Sequence, residues 1–232
     1  MLSSCSKHRP ALPFYQAGLS MVELLVGVAV GLFIVAGATL AVSNQLADNR
    51  RVTLETQIQQ DLRAAADVIA RDMRRSGYWA SAQSGVWHAG AVAVVSNPYT
   101  AVDPASGVAS EVHFGYSRGP VENNVLDATD EAGFRLNNTG GIEMRSGGQW
   151  QALTDSTTLR VTDLRVQLTS HDVPLSCFNA CPPGTPACPP TQSVRDVAIE
   201  ITGTAVHDPL VQRKARTNVR LRNDVINGAC PA

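Results

Sequence analysis

The feature that most constrains this chain is an uncharged apolar stretch near its N-terminus. Residues 24–42 carry no charged side chain, and a short basic segment, Lys7-His8-Arg9, precedes them. Counted from Leu19, the apolar segment has about 24 residues, or roughly 36 Å as an α-helix, which is enough to cross a bilayer. A removable secretory signal has a shorter apolar core with its cleavage site after it. Here the plausible cleavage site comes first, so the segment is expected to stay in the mature protein.

The distribution of helix-breaking residues extends this helix well beyond the apolar stretch. No proline occurs between Pro13 and Pro98, and no glycine between Gly37 and Gly77. Apolar residues recur at helical spacing at Leu54, Ile58, Leu62, Ala65, Ile69 and Met73, with polar residues between them. We therefore predict one helix over about residues 20–76, apolar all round in its first half and amphipathic in its second. A coiled coil is the alternative, although the stripe lasts only about three heptads.

Beyond residue 79 the pattern changes to short apolar runs separated by Gly, Asn, Asp and Pro. The predicted strands are 91–95, 111–116, 133–136, 142–145, 159–169, 194–202 and 215–221. In 161–169 and 194–202 apolar residues occupy alternate positions, as in an antiparallel sheet covered on one face. The amphipathic half of the helix needs an apolar surface, and such a sheet offers one. The predicted fold class is α+β, with a long N-terminal helix packed on an antiparallel β-sheet.

The composition gives little support to an enzyme or a nucleic-acid-binding protein. The chain has 19 Lys+Arg against 20 Asp+Glu, so no basic excess predicts direct nucleic-acid binding. Residues 115–119 match the G-x-S-x-G hydrolase pattern, but that elbow needs a following helix and a turn sequence follows instead. The pairs His171-Asp172 and His207-Asp208, which could suggest metal ligands or a catalytic dyad, border predicted loops and are interpreted as surface polar pairs. The glycosylation sequon at residues 137–139 is interpreted as a turn. We predict no enzyme activity, no catalytic residues, no cofactor and no metal.

The residues at the head of the apolar stretch contain a lone acid. The string is Gly18-Leu19-Ser20-Met21-Val22-Glu23, followed directly by the apolar run. A carboxylate within a membrane helix costs a few kcal/mol near the bilayer centre, so such a residue usually has a partner or a function. The alternative is an interfacial Glu at the end of an ordinary signal anchor.

This string closely resembles the type IV prepilin signature over residues 18–42. The resemblance implies that a prepilin peptidase cuts between Gly18 and Leu19 and methylates the new amino terminus of Leu19. It also implies that Glu23 takes part in subunit docking by meeting the amino terminus of a neighbouring subunit. The implied parts are a leader over 1–18, a transmembrane and filament-core helix over 19–42, its amphipathic continuation over 43–78 and a periplasmic domain over 79–232. The leader is longer than usual, and Leu19 replaces the commoner Phe.

A narrower resemblance points to PilW-like minor pilins. It rests on Ala-Arg-Asp-Met-Arg-Arg-Ser-Gly-Tyr at residues 70–78 and Arg-Thr-Asn-Val-Arg-Leu-Arg-Asn at residues 216–223. It implies a minor pilin that primes assembly of a type IV pilus and sits at its tip, with roles in adhesion, twitching motility and DNA uptake. The implied location is the bacterial inner membrane, with the C-terminal domain in the periplasm, and then the pilus surface. The implied partners are prepilin peptidase, other minor pilins, the major pilin, the assembly platform and the lipid bilayer.

Two alternatives to this function stay open at this point. A J-like minor pseudopilin of type II secretion shares the same physical features. A membrane-anchored exported enzyme is the other alternative, and it lacks an active-site motif in its expected context.

The cysteines that remain after removal of the leader number four. They are Cys177, Cys181, Cys188 and Cys230, and the first three lie in a proline-rich loop over residues 177–190. An even number of cysteines in an exported domain favours two disulfides, whose connectivity the sequence leaves open. Tetrahedral zinc is the alternative, but spacings of three and six intervening residues fit no common zinc unit.

Overall fold

The computed structural model describes residue 18 and residues 20–85, 95–119 and 121–231. The chain forms two compact units, Met1–Arg50 and Arg51–Ala232. Helix α1 (Met21–Met73) begins in the first unit and ends in the second. The helix predicted over 20–76 is confirmed, except that its last residues form a turn. Gly77 adopts a φ of 75°, a left-handed conformation that favours glycine where a helix ends.

The described second unit also contains two antiparallel sheets of five strands each. The first sheet has the order β1-β3-β4-β5-β6, and in the second β8 pairs with β7, β9 and β10 while β2 pairs with the far edge of β7. The strands are β1 (Val102–Asp103), β2 (Gly107–Ala109), β3 (Glu111–Gly115), β4 (Glu131–Leu136), β5 (Ile142–Ser146), β6 (Gln149–Ala152), β7 (Leu159–Pro174), β8 (Thr191–Ala205), β9 (Gln212–Arg220) and β10 (Val225–Asn227). A short 3-10 helix, Ala82–Gly85, follows the turn after α1.

The two strands with matching sequence patterns, β7 and β8, pair with each other along almost their whole length. Their apolar residues lie directly opposite one another, with Leu164 against Ile201 and Val166 against Ile199. Because side chains alternate between the two faces of a strand, this register places both apolar sets on one face. That face is buried, since all four of these residues are at most 2% exposed.

Six of the seven predicted strands correspond to observed ones, namely β3, β4, β5, β7, β8 and β9. The seventh, 91–95, lies outside the described residues apart from Val95, which belongs to no strand. The expectation of a single sheet needs correction, because the strands divide between two. The additional strands β1, β2, β6 and β10 have four residues or fewer, too short for an alternating pattern to stand out.

The second half of α1 forms the centre of the hydrophobic core together with strands from both sheets. The predicted stripe is buried at Ile58, Leu62, Ala65, Ile69 and Met73, with Ala66 and Ala70 beside it, and Leu54 is partly buried. A Cβ on Gly203 of β8 would lie 2.7 Å from Leu159 and 3.3 Å from Leu62. The absence of a side chain at Gly203 thus lets α1 approach the sheet closely. The α+β fold with a long N-terminal helix packed on antiparallel strands is confirmed.

Candidate functional site

The predicted cleavage and docking residues surround the first turn of α1. Gly18 and Ser20 are exposed, and Leu19 lies outside the described residues. The helix begins with the backbone N–H of Leu24 donating to the carbonyl of Ser20 at 3.1 Å. Glu23 is the acidic residue of the first turn and is exposed. Serine before the first helical residue and glutamate three positions later have the spacing of a capping box, so Glu23 also favours the start of the helix.

The apolar side chains on both sides of Glu23, from Met21 onward, have no cover from other described residues. Met21 is 84% exposed and Phe33 is 81% exposed. The other large apolar side chains that are exposed between Met21 and Leu46 are each more than half exposed. By length and composition α1 is able to span a membrane. Exposed apolar area on this scale is unfavourable in water, so this surface needs lipid or other helices around it.

The hydroxyl groups within this segment are already paired inside the helix. Thr39 Oγ1 donates to the carbonyl of Val35 at 2.8 Å, and Ser43 Oγ donates to the carbonyl of Thr39 at 2.9 Å. Such bonds to the carbonyl four residues earlier satisfy a hydroxyl without a second chain. These side chains therefore suit an apolar environment, where an unpaired donor would be costly.

The other end of α1 is joined to the first sheet at the end of β3. The carboxylate of Asp72 accepts a hydrogen bond from the hydroxyl of Tyr116 at 2.9 Å, and Arg118 lies 3.9 Å from the same carboxylate. The backbone N–H of Gly77 donates to the carbonyl of Gly115 at 2.9 Å. Burial of Tyr116, with the negative charge of Asp72 beside it, raises the pKa of the Tyr116 hydroxyl to about 12.

The same helix end is joined to the second sheet by the segment after β9. Asn223 Nδ2 donates to the carbonyl of Ser76 at 2.9 Å, and its Cβ would lie 3.2 Å from a Cβ on Gly77. Arg195 of β8 is 6% exposed and donates to the carbonyls of Thr100 and Asn223. This burial lowers the pKa of the Arg195 guanidinium. The structure thus brings together residues 70–78 and 216–223, the two stretches on which the narrower resemblance rests.

The four cysteines of the domain are arranged as two disulfides. Cys177 is joined to Cys230, with Cα atoms 5.4 Å apart, and Cys181 to Cys188, with Cα atoms 5.7 Å apart. The sulfur atoms of Cys177, Cys181 and Cys188 all lie within 4.8 Å of one another, but in disulfides they are not metal ligands. The loop between β7 and β8 is thereby cross-linked internally and to the C-terminal segment, a connectivity that sequence reasoning left open.

The motifs considered as enzyme signals lie at the end of a strand, on an exposed part of a strand or in turns. Residues 115–119 begin at the last residue of β3, and the described residues after them form no helix. His171 is exposed on β7, while Asp208 forms the turn before β9 through a hydrogen bond from Leu210 N–H at 3.2 Å. The side-chain oxygen of Asn137 accepts from the N–H groups of Thr139 and Gly141, which fixes the turn between β4 and β5.

These features define the class of protein: an α+β domain whose packed helix is continuous with an exposed apolar segment long enough to span a membrane. A family model described as prepilin peptidase-dependent protein B matches residues 51–221. Since the match covers well over half of the chain, the protein belongs to the prepilin peptidase-dependent protein B family. No curated protein and no solved structure matches the chain.

Family membership confirms the resemblance to type IV pilin-like proteins and supports a pilin-like or pseudopilin-related role. Proteins of pilin-like families are typically not enzymes. The description of the family also implies that its members depend on prepilin peptidase.

Proposed function

We propose that this chain is a minor pilin that primes the assembly of a type IV pilus and sits at the pilus tip, where it serves adhesion, twitching motility and DNA uptake. The observation that carries the proposal is the division of α1. Its apolar side chains are exposed from Met21 to Leu46, whereas Ile58, Leu62, Ile69 and Met73 in the same helix are buried against the β-sheets. A helix half that lacks cover from the described residues suits first a bilayer and then a bundle of like helices.

In this proposal the prepilin peptidase removes residues 1–18 and methylates the amino group of Leu19. Residues 19–42 then span the inner membrane and later enter the filament core, and residues 43–78 continue the helix. Residues 79–232 form the periplasmic domain that becomes exposed on the pilus. Exposure of Gly18 at the start of the described chain is compatible with access by a peptidase.

Glu23 is the docking residue in this proposal. In a bundle of apolar helices its carboxylate loses water, and the positively charged methylated amino group of Leu19 on a neighbouring subunit compensates for that loss. The partners are other minor pilins, the major pilin and the inner-membrane assembly platform. Residues 24–47 carry no further charge that could compete for this pairing.

The experiment that tests the function is deletion of the gene, followed by assays of surface pili, twitching and exoprotein secretion. We expect loss of pili and twitching with normal secretion, restored by the wild-type gene and not by a Gly18→Val variant. Loss of secretion with normal pili would replace the proposal by the second candidate, a J-like minor pseudopilin of type II secretion. The second candidate is supported by the same exposed apolar helix and family membership.

A further inference from the structure

An arginine-lined groove lies on the surface where the end of α1 meets the segment after β9. It is lined by Arg71, Arg74, Arg75, Tyr78, Arg222 and Asn223, and this set is called the arginine groove. Arg220 extends it, since Arg74, Arg220 and Arg222 line an adjoining depression. The groove is thus formed by residues between 71 and 78 and between 220 and 223, which lie within the two family-resembling stretches.

Only part of the positive charge around the groove is compensated by neighbouring carboxylates. Arg75 lies 3.7 Å from Asp72, and Arg220 lies 3.0 Å from Asp224. The remaining three guanidinium groups are exposed, and no carboxylate of the described residues lies within 4.0 Å of them. They belong to Arg71, Arg74 and Arg222.

The local structure accounts for some of these arginines but not for the cluster. A basic residue in the last turn of a helix interacts favourably with the helix dipole, which explains Arg71. Arg222 follows a strand far away in the sequence, so the dipole gives no reason for its presence beside Arg74. Like charges held together are unfavourable in the isolated chain, and an anionic partner removes that repulsion.

The chemistry of the groove favours a protein segment bearing Asp or Glu side chains. Guanidinium groups bind carboxylates through paired hydrogen bonds. Tyr78 is 49% exposed beside them, and Tyr and Arg are the residue types enriched at the energetic centres of protein interfaces. A nucleic acid engages a longer basic track, about six to ten phosphate contacts, and polybasic membrane sites use about four to eight cations. Three uncompensated arginines on a chain of net charge −1 match neither pattern.

We infer that the arginine groove is a binding site for an acidic segment of a neighbouring protein subunit. That the subunit is pilin-like rests on the proposed function. That its segment is acidic rests on the arginine groove itself. This binding site would be a second contact between subunits, located in the folded domain, in addition to docking through Glu23.

The test places a photo-cross-linker in the groove of the full chain in its native host. Tyr78 is replaced by p-benzoylphenylalanine, cells are irradiated, and the cross-linked peptide is sequenced by mass spectrometry. The same replacement at Leu210, which is 81% exposed outside the groove, is the positional control. The probe is then combined with Arg71→Gln, Arg74→Gln and Arg222→Gln, or with the charge-matched control Arg63→Gln, Arg160→Gln and Arg216→Gln.

We expect the Tyr78 probe, and not the Leu210 probe, to join an Asp/Glu-rich protein segment. The groove substitutions should lower the yield at least fivefold, and the control set should leave it within twofold. A cross-link to nucleic acid, to lipid or to an uncharged peptide would overturn the inference, as would equal losses from both sets. An acidic partner that is not pilin-like would retain the groove site but contradict the proposed function. Circular dichroism of the purified variants checks that both sets remain folded.

Discussion

The hydroxyl of Tyr116 donates a hydrogen bond of 2.9 Å to Oδ1 of Asp72. Asp72 lies in the last turn of α1, and Tyr116 directly follows β3, so this contact joins the helix to the first sheet. Two guanidinium groups lie over the Tyr116 ring, those of Arg75 and Arg118, each 4.3 Å from its centre. Arg75 and Arg118 also face the carboxylate of Asp72. Four side chains from two distant parts of the sequence thus form one polar connection at the edge of the core.

Replacing Tyr116 by Phe should destabilise the folded domain, because it removes a hydrogen bond to a charged group while leaving the ring in place. Net contributions of such bonds are about 1.5–3 kcal/mol, and Tyr116 is only 2% exposed. Chemical denaturation of the detergent-solubilised protein at pH 8, followed by tryptophan fluorescence, measures the change. Tyr78→Phe, at the exposed tyrosine, is the control. Equal stability of Tyr116→Phe and wild type would show that the bond contributes little.

The same pair gives an alkaline pH dependence whose sign follows from the pKa. Burial, with the charge of Asp72, raises the pKa of Tyr116 from its ordinary value of about 10 to about 12 in the folded protein. A folded-state pKa above the unfolded value means that the contribution is complete below pH 10 and is lost as the pH rises towards 12. The stability advantage of wild type over Tyr116→Phe should therefore shrink across this window. An advantage that stays constant from pH 8 to 12 would contradict this assignment.

The two disulfides should contribute unequally to stability. Cys177–Cys230 spans 53 residues in sequence and Cys181–Cys188 spans 7. On the chain-entropy model the longer loop corresponds to about 4 kcal/mol and the shorter to about 2 kcal/mol. We expect the Cys177→Ser/Cys230→Ser variant to lose more stability than Cys181→Ser/Cys188→Ser in parallel denaturation experiments.

The disulfide pairing itself is checked by peptide mapping of the non-reduced protein. All four cysteines should resist alkylation until a reductant is added. Recovery of a peptide linking Cys177 to Cys181, or of one bound zinc with four alkylatable thiols, would contradict the arrangement. Metal analysis of the same sample separates these two outcomes.

The regular parts of the fold were predictable because their patterns have one simple cause. The spacing of Ile58, Leu62 and Ile69 indicates a helix with one buried face, and alternation in 161–169 and 194–202 indicates half-buried strands. Both patterns arise from the burial of apolar side chains, and the residue type at each position indicates whether that position is buried. Short strands such as β1 and β6 lack enough positions for a period, so the sequence did not reveal the division into two sheets.

The polar connections could not be predicted from the sequence, for a different reason. Nothing local to Asp72 indicates that Tyr116 is its partner, because the contact exists only once the helix has packed on the sheet. The resemblance marked residues 70–78 and 216–223 separately, and their meeting at Asn223 follows from the path of β9 beside β8. The pairing of Cys177 with Cys230 similarly depends on the position of the C-terminal segment, which is set by the pairing of β10 with β8.

Replacing Gly18 by Val should leave an uncut precursor. A β-branched side chain at the residue before the cleaved bond hinders the close backbone approach that glycine allows. Intact-mass measurement of the wild-type membrane fraction should show a chain that starts at N-methylated Leu19, and the variant should retain residues 1–18. Ala17→Val, next to the cleavage position, is the matched control and should be cut. Wild-type protein that still begins at Met1 in the mature fraction would refute the proposed cleavage site.

In the proposed function Glu23 has two physical roles, and a set of substitutions can separate them. As an acid in the first turn it interacts favourably with the helix dipole, worth about 0.3–1 kcal/mol at an exposed position. As a buried charge in an assembled helix bundle it needs a cationic partner, and losing one member of such a pair costs about 3–5 kcal/mol. Glu23→Gln keeps the length and hydrogen-bonding ability of the side chain and removes only the charge. Glu23→Leu removes both, and Glu23→Asp keeps the charge on a shorter side chain.

We expect Glu23→Leu to be inserted into the membrane and cleaved normally but recruited poorly into the assembling complex. A loss of about 3 kcal/mol corresponds to roughly a hundredfold weaker association, so the variant should be nearly absent from sheared pili. Glu23→Gln should resemble Glu23→Leu, because the lost charge is decisive, and Glu23→Asp should be intermediate, because its carboxylate reaches less far. The measurements are cross-linking to partner pilins in membranes and quantification in the sheared fraction, both normalised to cleaved protein. Glu23→Gln at wild-type levels in both assays, with Glu23→Leu reduced, would assign Glu23 to capping of α1 and remove charge pairing from the docking step.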